Sequence, residues 1–396
     1  MNAKTVLISG VGVAGPTLAY WLRRAGFIPT LLEQAPAPRK GGYVIDFWGL
    51  GYDIADRMGL LPAIHRTGYH IREMRVVNAD GKRIAGFGTK VFDALTGGRF
   101  VTIGRSALSQ LIFETIEDDT EAIFGDEIVA LDQQPGHVAV RLRSGNERQF
   151  DLVIGADGLH SAVRRLAFGP QDHFEKRFGY RVAAFKASGY RPRDERVYVT
   201  YNEPGRMIGR VSLRGDETLI LFVFVDDDAP PLLDLRAQKS RLRAKFGRSG
   251  WECPHMLDAL DAAPELYFDR VSQIRMPQWS RGRVALVGDA AYCVSLVAGQ
   301  GTALAMTGAY SLAGELAKAD GRHREAFASY ETILRGFIDR KQQGAMRFAS
   351  AFAPTTRLGI LFRELVIKAA AIPGVARLTF GRDIVDVLQL PDYRWG

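Results

Sequence analysis

The sequence predicts an α/β protein: a Rossmann-like nucleotide-binding domain on a parallel sheet, an inserted β-rich substrate domain, and a C-terminal helical segment. Three observations carry that prediction. Strand and helix patterns alternate over the first third of the chain, glycine-rich turns stand where strands hand over to helices, and from residue 179 to 225 the pattern changes to short antiparallel strands. At 396 residues the chain exceeds the usual span of one domain, so two domains sharing an interface are expected.

Taken in order, residues 4–9 (Lys-Thr-Val-Leu-Ile-Ser) read as a buried strand, 14–25 as a helix stopped by Gly26, and 28–32 as a second buried strand. A helix follows from Ser106 to about Glu117, then strands near 127–131, 138–142 and 152–154. In the insert, strands are expected at 182–185, 197–201, 207–212 and 218–225. Asp226-Asp227-Asp228, read as a solvated turn, and Pro230-Pro231 close that sheet. A strand returns at 284–287, and helices open at Gly301, His323 and Thr356. The last carries Leu365, Val366 and Ala369 at helical spacing and is expected to pack on both domains. The resulting division gives 1–70, 99–175 and 271–352 to the nucleotide-binding domain, 71–98 and 176–270 to the substrate domain, and 353–396 to the helical segment.

Composition removes several function classes. Hydrophobic residues at 47% and charged residues at 24% are the balance of a globular enzyme, and no apolar run reaches the roughly 18 residues that span a bilayer. A strand that begins almost at Met1 leaves no room for a secretory leader, so a cytoplasmic protein is expected. Cys253 and Cys293 stand in no metal-ligand or redox-pair spacing, so neither a metal site nor a disulfide framework is expected. The net charge of +8 comes from Lys and Arg in ones and twos among acids. That suits an anionic dinucleotide better than nucleic acid, and nucleic acid is not expected as a partner.

Three motifs carry chemistry. Gly10-Val11-Gly12-Val13-Ala14-Gly15 joins the first strand to the first helix. Gly10 permits the tight turn, Gly12 lets the backbone approach a pyrophosphate, and Gly15 lets the helix pack closely. The amides around Val13 and Ala14, at a helix N-terminus, attract phosphate. Glu33, with Gln34 beside it, ends the second strand eighteen residues after Gly15, where a carboxylate can accept both ribose hydroxyls. That acid disfavours a 2′-phosphate, so FAD or NAD is expected as the resident nucleotide. The second motif is Gly155-Ala156-Asp157-Gly158 at a strand end, with Ser161 as a helix cap. In the third, Gly288-Asp289 ends another strand, and Gly299-Gln300-Gly301-Thr302 opens a small-residue helix ten residues later. Asp289 can accept from the hydroxyls of a ribityl chain, and the amides near Gly299 can face a flavin edge where charge appears on reduction.

In this order and near these spacings, the three motifs resemble the class A flavoprotein monooxygenases of the para-hydroxybenzoate hydroxylase type. Gly10 to Pro16, Tyr20-Trp21-Leu22, Arg39-Lys40-Gly41-Gly42 and Asp289 to Cys293 are similar to the tetracycline-inactivating branch. The resemblance implies that Arg105, ahead of Leu108, contacts FAD. It implies that Arg39, Lys40 and Asp46 belong to a second flavin-approaching loop, and that Asp157 serves the flavin and the incoming nicotinamide nucleotide. It also implies reduction of FAD by NADH or NADPH, reaction with O2 at C4a, and hydroxylation of a phenolic or enolic aromatic or polyketide-like substrate through a flavin hydroperoxide, with antibiotic inactivation as one outcome. No side chain is then needed as catalyst, because the flavin carries the chemistry.

For the substrate, strand alternation offers Tyr198 with Thr200, or Tyr201 on the opposite face. Phe222 and Phe224 share a face as an aromatic wall, Arg210 is a candidate cation, and Val297 and Ala298 border the flavin loop. The chain departs from many members at Tyr292, where they carry His, and at Ser295-Leu296-Val297, where they carry proline. Those departures keep open an FAD-dependent reductase or dehydrogenase without oxygen insertion, and a non-catalytic flavin-fold binding protein is the third alternative. A small-molecule substrate and O2 are the expected partners, with the protein a monomer or weak dimer.

Overall fold

The computed structural model describes residues 4–38, 41–190, 194–226, 234–295, 299–372, 375, 386 and 388–395, with no side chains for 92, 94, 95 and 347–352. Arg39, Lys40, Asp227, Asp228, Val297 and Ala298 lie outside the described residues.

The chain opens with β1 (Thr5–Ser9), α1 (Ala14–Arg24) and β2 (Ile28–Glu33), then β3 (Val44–Trp48), α2 (Leu50–Arg57) and α3 (Leu61–Thr67). It crosses into a second layer with β4 (Glu73–Val77), β5 (Arg83–Gly88) and α4 (Lys90–Thr96), and returns with β6 (Phe100–Gly104), α5 (Arg105–Phe113) and β7 (Glu121–Phe124). A meander of β8 (Ile128–Gln133), β9 (Val138–Leu142) and β10 (Glu147–Phe150) leads to β11 (Leu152–Gly155) and α6 (Ala162–Ala167). The second layer is completed by β12 (Glu175–Ser188), β13 (Val197–Glu203), β14 (Arg206–Ser212), β15 (Glu217–Val225), α7 (Leu235–Phe246), α8 (Cys253–Ala262) and β16 (Tyr267–Ile274). Then come β17 (Ser280–Arg281), β18 (Val284–Leu286), α9 (Asp289–Tyr292), α10 (Gly301–Lys318), α11 (His323–Phe352) and α12 (Arg357–Ala370).

The first sheet has the order β17-β18-β11-β1-β2-β7, parallel apart from β17. Val6, Leu7, Ile8, Leu152, Val153, Ile154, Val284, Ala285 and Leu286 are at most 1% exposed, the unbroken apolar runs of a sheet covered on both faces. Its register decides where the site lies. Ser9 pairs with Gly155 and Gly155 with Leu286, so the three glycine-and-acid segments leave the same sheet edge side by side.

The second sheet runs β16-β12-β15-β14-β13-β4-β5. Helices α7 and α8 cover one face, burying Tyr201, Ile208, Phe222, Phe224, Leu242, Phe246 and Met256 in a core of their own. The other face turns toward the first domain. Several of these elements were not expected from the sequence: β4, β5 and β16 carry charge within short runs, and β12 spans 14 residues where only 182–185 was expected, its polar start, Glu175-Lys176-Arg177, hiding the strand pattern. Asp226 is also not a solvated turn. It is buried, pairs with Arg181 at 2.8 Å and also meets Arg241, so the acid run begins inside an ion-pair cluster.

Helix α12 lies against β5 and β13. Leu365 does not pack there; it is 63% exposed, while Ile367 on the opposite side of the helix is buried. Residues 388–395 return to the first domain: the Trp395 ring lies 4.5 Å from Trp21 of α1, and the Tyr393 hydroxyl donates to the buried Glu315 of α10 at 2.9 Å. Among the described residues no helix is long and apolar enough to cross a membrane.

Candidate functional site

A cavity of about 1920 Å³ opens between the two sheets. Ligand pockets usually measure about 300–1,000 Å³, so this one has room for a dinucleotide and a second molecule together. All three motifs reach it: Gly10, Gly12, Val13, Ala14, Glu33, Gln34, Asp157, Asp289, Gly299, Gly301 and Thr302 line one continuous wall. Arg105 and Asp46 line it as well.

The glycines differ in what they do. At Gly10, φ is +110° and a Cβ would stand 2.5 Å from the Ala156 carbonyl oxygen, so the turn requires glycine for its own packing. Gly15 backs onto the Gly10 carbonyl and Gly288 onto Ala14 and Ala305, so both support the site from behind. A Cβ on Gly12, in contrast, would meet nothing within 4 Å. That empty space fits a ligand backbone drawn close. The N-terminus of α1 beside it has no side-chain cap and no acid in its first turn, which leaves its amides to an anion. From behind, Ser109 on α5 donates to the Gly12 carbonyl at 2.9 Å and fixes the loop.

The acids are anchored differently. Glu33 accepts from the amides of Val11 and Ala35, each at 3.0 Å, tying the end of β2 to the glycine turn. Asp157 accepts from the Ser161 hydroxyl and from the Val163 amide at 3.0 Å, and Ser161 itself caps α6. Burial pushes the Asp157 carboxyl above the usual range, against the pull of those hydrogen bonds. Arg105 lies 5.9 Å over the Tyr43 ring. The Tyr43 hydroxyl, with Asp289 behind it, holds the guanidinium firmly protonated despite burial. Leu108 and Gln300 are buried beside the wall and do not line it.

The roof comes from the second sheet. Tyr198 and Thr200 of β13, Met207 and Val211 of β14, Leu219 and Leu221 of β15, and Tyr267 of β16 line the cavity. From α12, Phe362, Arg363 and Val366 close one side, with Arg363 donating to Asn202 at 3.0 Å. Three sequence expectations are corrected here. Phe222 and Phe224 point the other way and pack against Phe246, tilted and edge-on, with ring centroids 4.7 and 5.5 Å away, and Tyr201 shares that core. Arg210 borders the cavity, but its guanidinium turns onto Glu252 and Asp194, at 2.7 and 2.8 Å, and over the Trp251 ring. Helices α7 and α8 draw the aromatic side chains to their side with a large apolar surface, and Asp194 and Glu252, in the segments before β13 and α8, hold Arg210. Sequence reasoning missed Leu219, Leu221, Tyr43 and Tyr267; the first two stand at period two along β15, a signal that was present without its sign.

Comparison with known proteins agrees with this geometry. Residues 3–337 match the family described as FAD binding domain. An uncharacterised protein of Mycobacterium tuberculosis is 39% identical over 345 residues, covering 86% of this chain and 92% of that one. A flavin-dependent monooxygenase of an unknown prokaryotic organism is 35% identical over 355 residues, covering 89% and 91%. Among solved structures, tetracycline destructase Tet(51) superposes with a TM-score of 0.84 at 30% identity, covering 99% of this chain and 100% of that one. With its cofactor cradle and this kinship together, the chain belongs to the FAD-binding family of flavin-dependent monooxygenases.

Proposed function

We propose that this protein hydroxylates a phenolic or enolic polycycle of the tetracycline type, using FAD, O2 and NADH or NADPH. One observation carries the proposal: a cofactor wall with an open glycine cradle faces, across a single cavity, an apolar roof set with tyrosines. Bound FAD supplies the redox chemistry, taking two electrons from the nicotinamide and delivering one oxygen atom of O2 to the substrate while the other leaves as water.

The chain's own residues bind, orient and keep water out. Amides from Gly12 to Gly15 at the α1 N-terminus would hold the pyrophosphate, and Glu33 would accept the adenosine ribose hydroxyls. Asp289 would accept from the ribityl hydroxyls, and Arg105 with the amides of Gly299 to Thr302 would stabilise negative charge at the ring edge. Leu219, Leu221, Val211 and Tyr267 exclude water from the reacting face. The presence of tetracycline destructases among the relatives supports the substrate class.

The test is a turnover assay under 18O2 with tetracycline and a panel of phenols, following NAD(P)H loss and product mass together. One labelled oxygen in the product is expected. Hydrogen peroxide alone across the panel, with no labelled product, overturns the reading.

A further inference from the structure

Three cations that line the cavity have partners within the fold. Arg210 is held by Asp194 and Glu252, Lys186 pairs with Glu217 at 3.0 Å, and Arg105 lies over Tyr43 on the cofactor wall. Arg363 differs. Its Nη1 donates to the side-chain carbonyl of Asn202 at 3.0 Å, and among the described residues no acid stands within ion-pair reach of it. Glu364, the next residue, acts on it only through space. The side chain is partly buried and lines the cavity from α12, the helix that lies against β5 and β13 of the second sheet. It therefore belongs to the substrate side of the cavity and not to the phosphate cradle of α1. Asn202 follows Tyr198 and Thr200 at period two along β13, on the face those two turn to the cavity.

The surroundings of this guanidinium are apolar. One turn further along α12, Ile367 packs with Phe87 of β5, and Met74 and Val91 lie against them; all four line the cavity. A cation held among such groups gives up hydration that a single amide oxygen does not restore. A guanidinium carries several N–H groups in a planar fork, and the one hydrogen bond to Asn202 commits a single arm of it. The partner that matches the rest is a flat oxyanion with two acceptor oxygens, either a carboxylate or the ionised enol of a 1,3-dicarbonyl.

We infer that Arg363, steadied by Asn202, binds an oxyanion carried by the substrate and so selects acidic phenols and enols over neutral ones of the same shape. This rests on the hydroxylase reading above and narrows its substrate class. The selectivity follows from pairing: an acidic ligand gains a charge-assisted fork, whereas a neutral analogue leaves the desolvated cation without its counterion.

The experiment uses FAD-loaded wild type, Arg363→Gln, Arg363→Lys and Lys368→Gln, the last removing an exposed cation from the final turn of the same helix. Equilibrium dialysis at pH 7 measures binding of 1-hydroxy-2-naphthoate and of 1-naphthol, the same phenol with and without a carboxylate. Wild type should hold the acid about 10-fold or more the tighter, and Arg363→Gln should reduce that preference by about 10- to 100-fold, the scale of a hydrogen bond to a charged group. Arg363→Lys keeps the charge without the fork and should lose less. Lys368→Gln should keep the wild-type preference, which separates the local fork from net charge. Tetracycline, whose tricarbonyl enol is ionised at pH 7, provides the enolate arm. Whichever anion loses more affinity in Arg363→Gln identifies the source of the oxyanion.

A wild type that binds neither anion more tightly than 1-naphthol overturns the inference, whatever the variants do. So does an Arg363→Gln that keeps the preference, an equal loss in Lys368→Gln, or a loss that falls on the affinity for NADPH in place of the anions. An anion preference that depends on Arg363 in a protein that incorporates no 18O defeats the hydroxylase reading instead, so the two failures are distinguishable.

Discussion

The motif edge of the first sheet and the cavity face of the second make opposite demands on the sequence. At the motif edge, function falls on the backbone. Gly10 and Gly15 are required by turn and packing, Gly12 leaves open space beside the turn, and the register of β1 with β11 and β11 with β18 brings the three corners together. On the second sheet, function falls on which way side chains point. Leu221 lines the cavity and Phe222, its neighbour, is core; nothing in the residue types distinguishes the two faces, since both are apolar. Backbone requirements are written as glycine and are read directly. A choice of face is made by whatever packs on the far side.

The largest effect expected from that contrast is on stability. Phe222→Ala should cost about 3–5 kcal/mol, the range for truncating a fully buried aromatic, measured by urea unfolding. Leu221→Ala, one residue away, should leave the denaturation midpoint nearly in place and raise the KM for the oxidised substrate. Equal losses from the two would mean that the faces are assigned the wrong way round.

A smaller effect separates two glycines of the same turn. Gly10→Ala should destabilise the protein by about 1–3 kcal/mol, because alanine meets both an unfavourable φ and the Ala156 carbonyl. Gly12→Ala should leave the flavin-free protein as stable as wild type and weaken only FAD binding, measured by flavin fluorescence on titration. A Gly12 variant that loses stability without FAD would show that the open space beside it serves the fold.

The smallest effect lies at the cavity rim. His160 is 3.2 Å from Asp269, which raises the imidazole pKa, but its side chain is 61% exposed. A His with a raised folded pKa contributes stability that is complete below its unfolded value near 6.5 and is lost as pH rises through the folded value. Solvent screening holds that contribution to a few tenths of a kcal/mol. Asp269→Asn should therefore flatten a shallow decline in thermal midpoint just above pH 6.5 and change little else.

Much of the fold was legible for physical reasons that differ by element. The parallel strands β1, β11 and β18 announce themselves as apolar runs, whereas β7 went unseen, and α10 and α11 open where Gly301 and His323 predicted. The ribbon of β3 and β6, the paired β4 and β5, and helices α7 and α8 went unseen. Val44–Trp48 carries Asp46 within it, and α7 is strongly basic, so neither shows the expected periodicity. Glycines and acids of the cofactor wall were therefore found, whereas Tyr43, Leu219, Leu221 and Tyr267, supplied by pairing partners distant in sequence, were not. Arg210 looked like a substrate cation because its acids, Asp194 and Glu252, come from loops whose approach only tertiary structure determines.

The packing of Trp395 against Trp21 has a consequence for biosynthesis. Helix α1, whose first turn adjoins the glycine cradle, gains that neighbour only after residues some 370 positions later have been translated. Loading of the coenzyme onto a fully packed cradle is thus a late event, and a protease that clips residues 388–395 should loosen flavin retention from the far side of the helix.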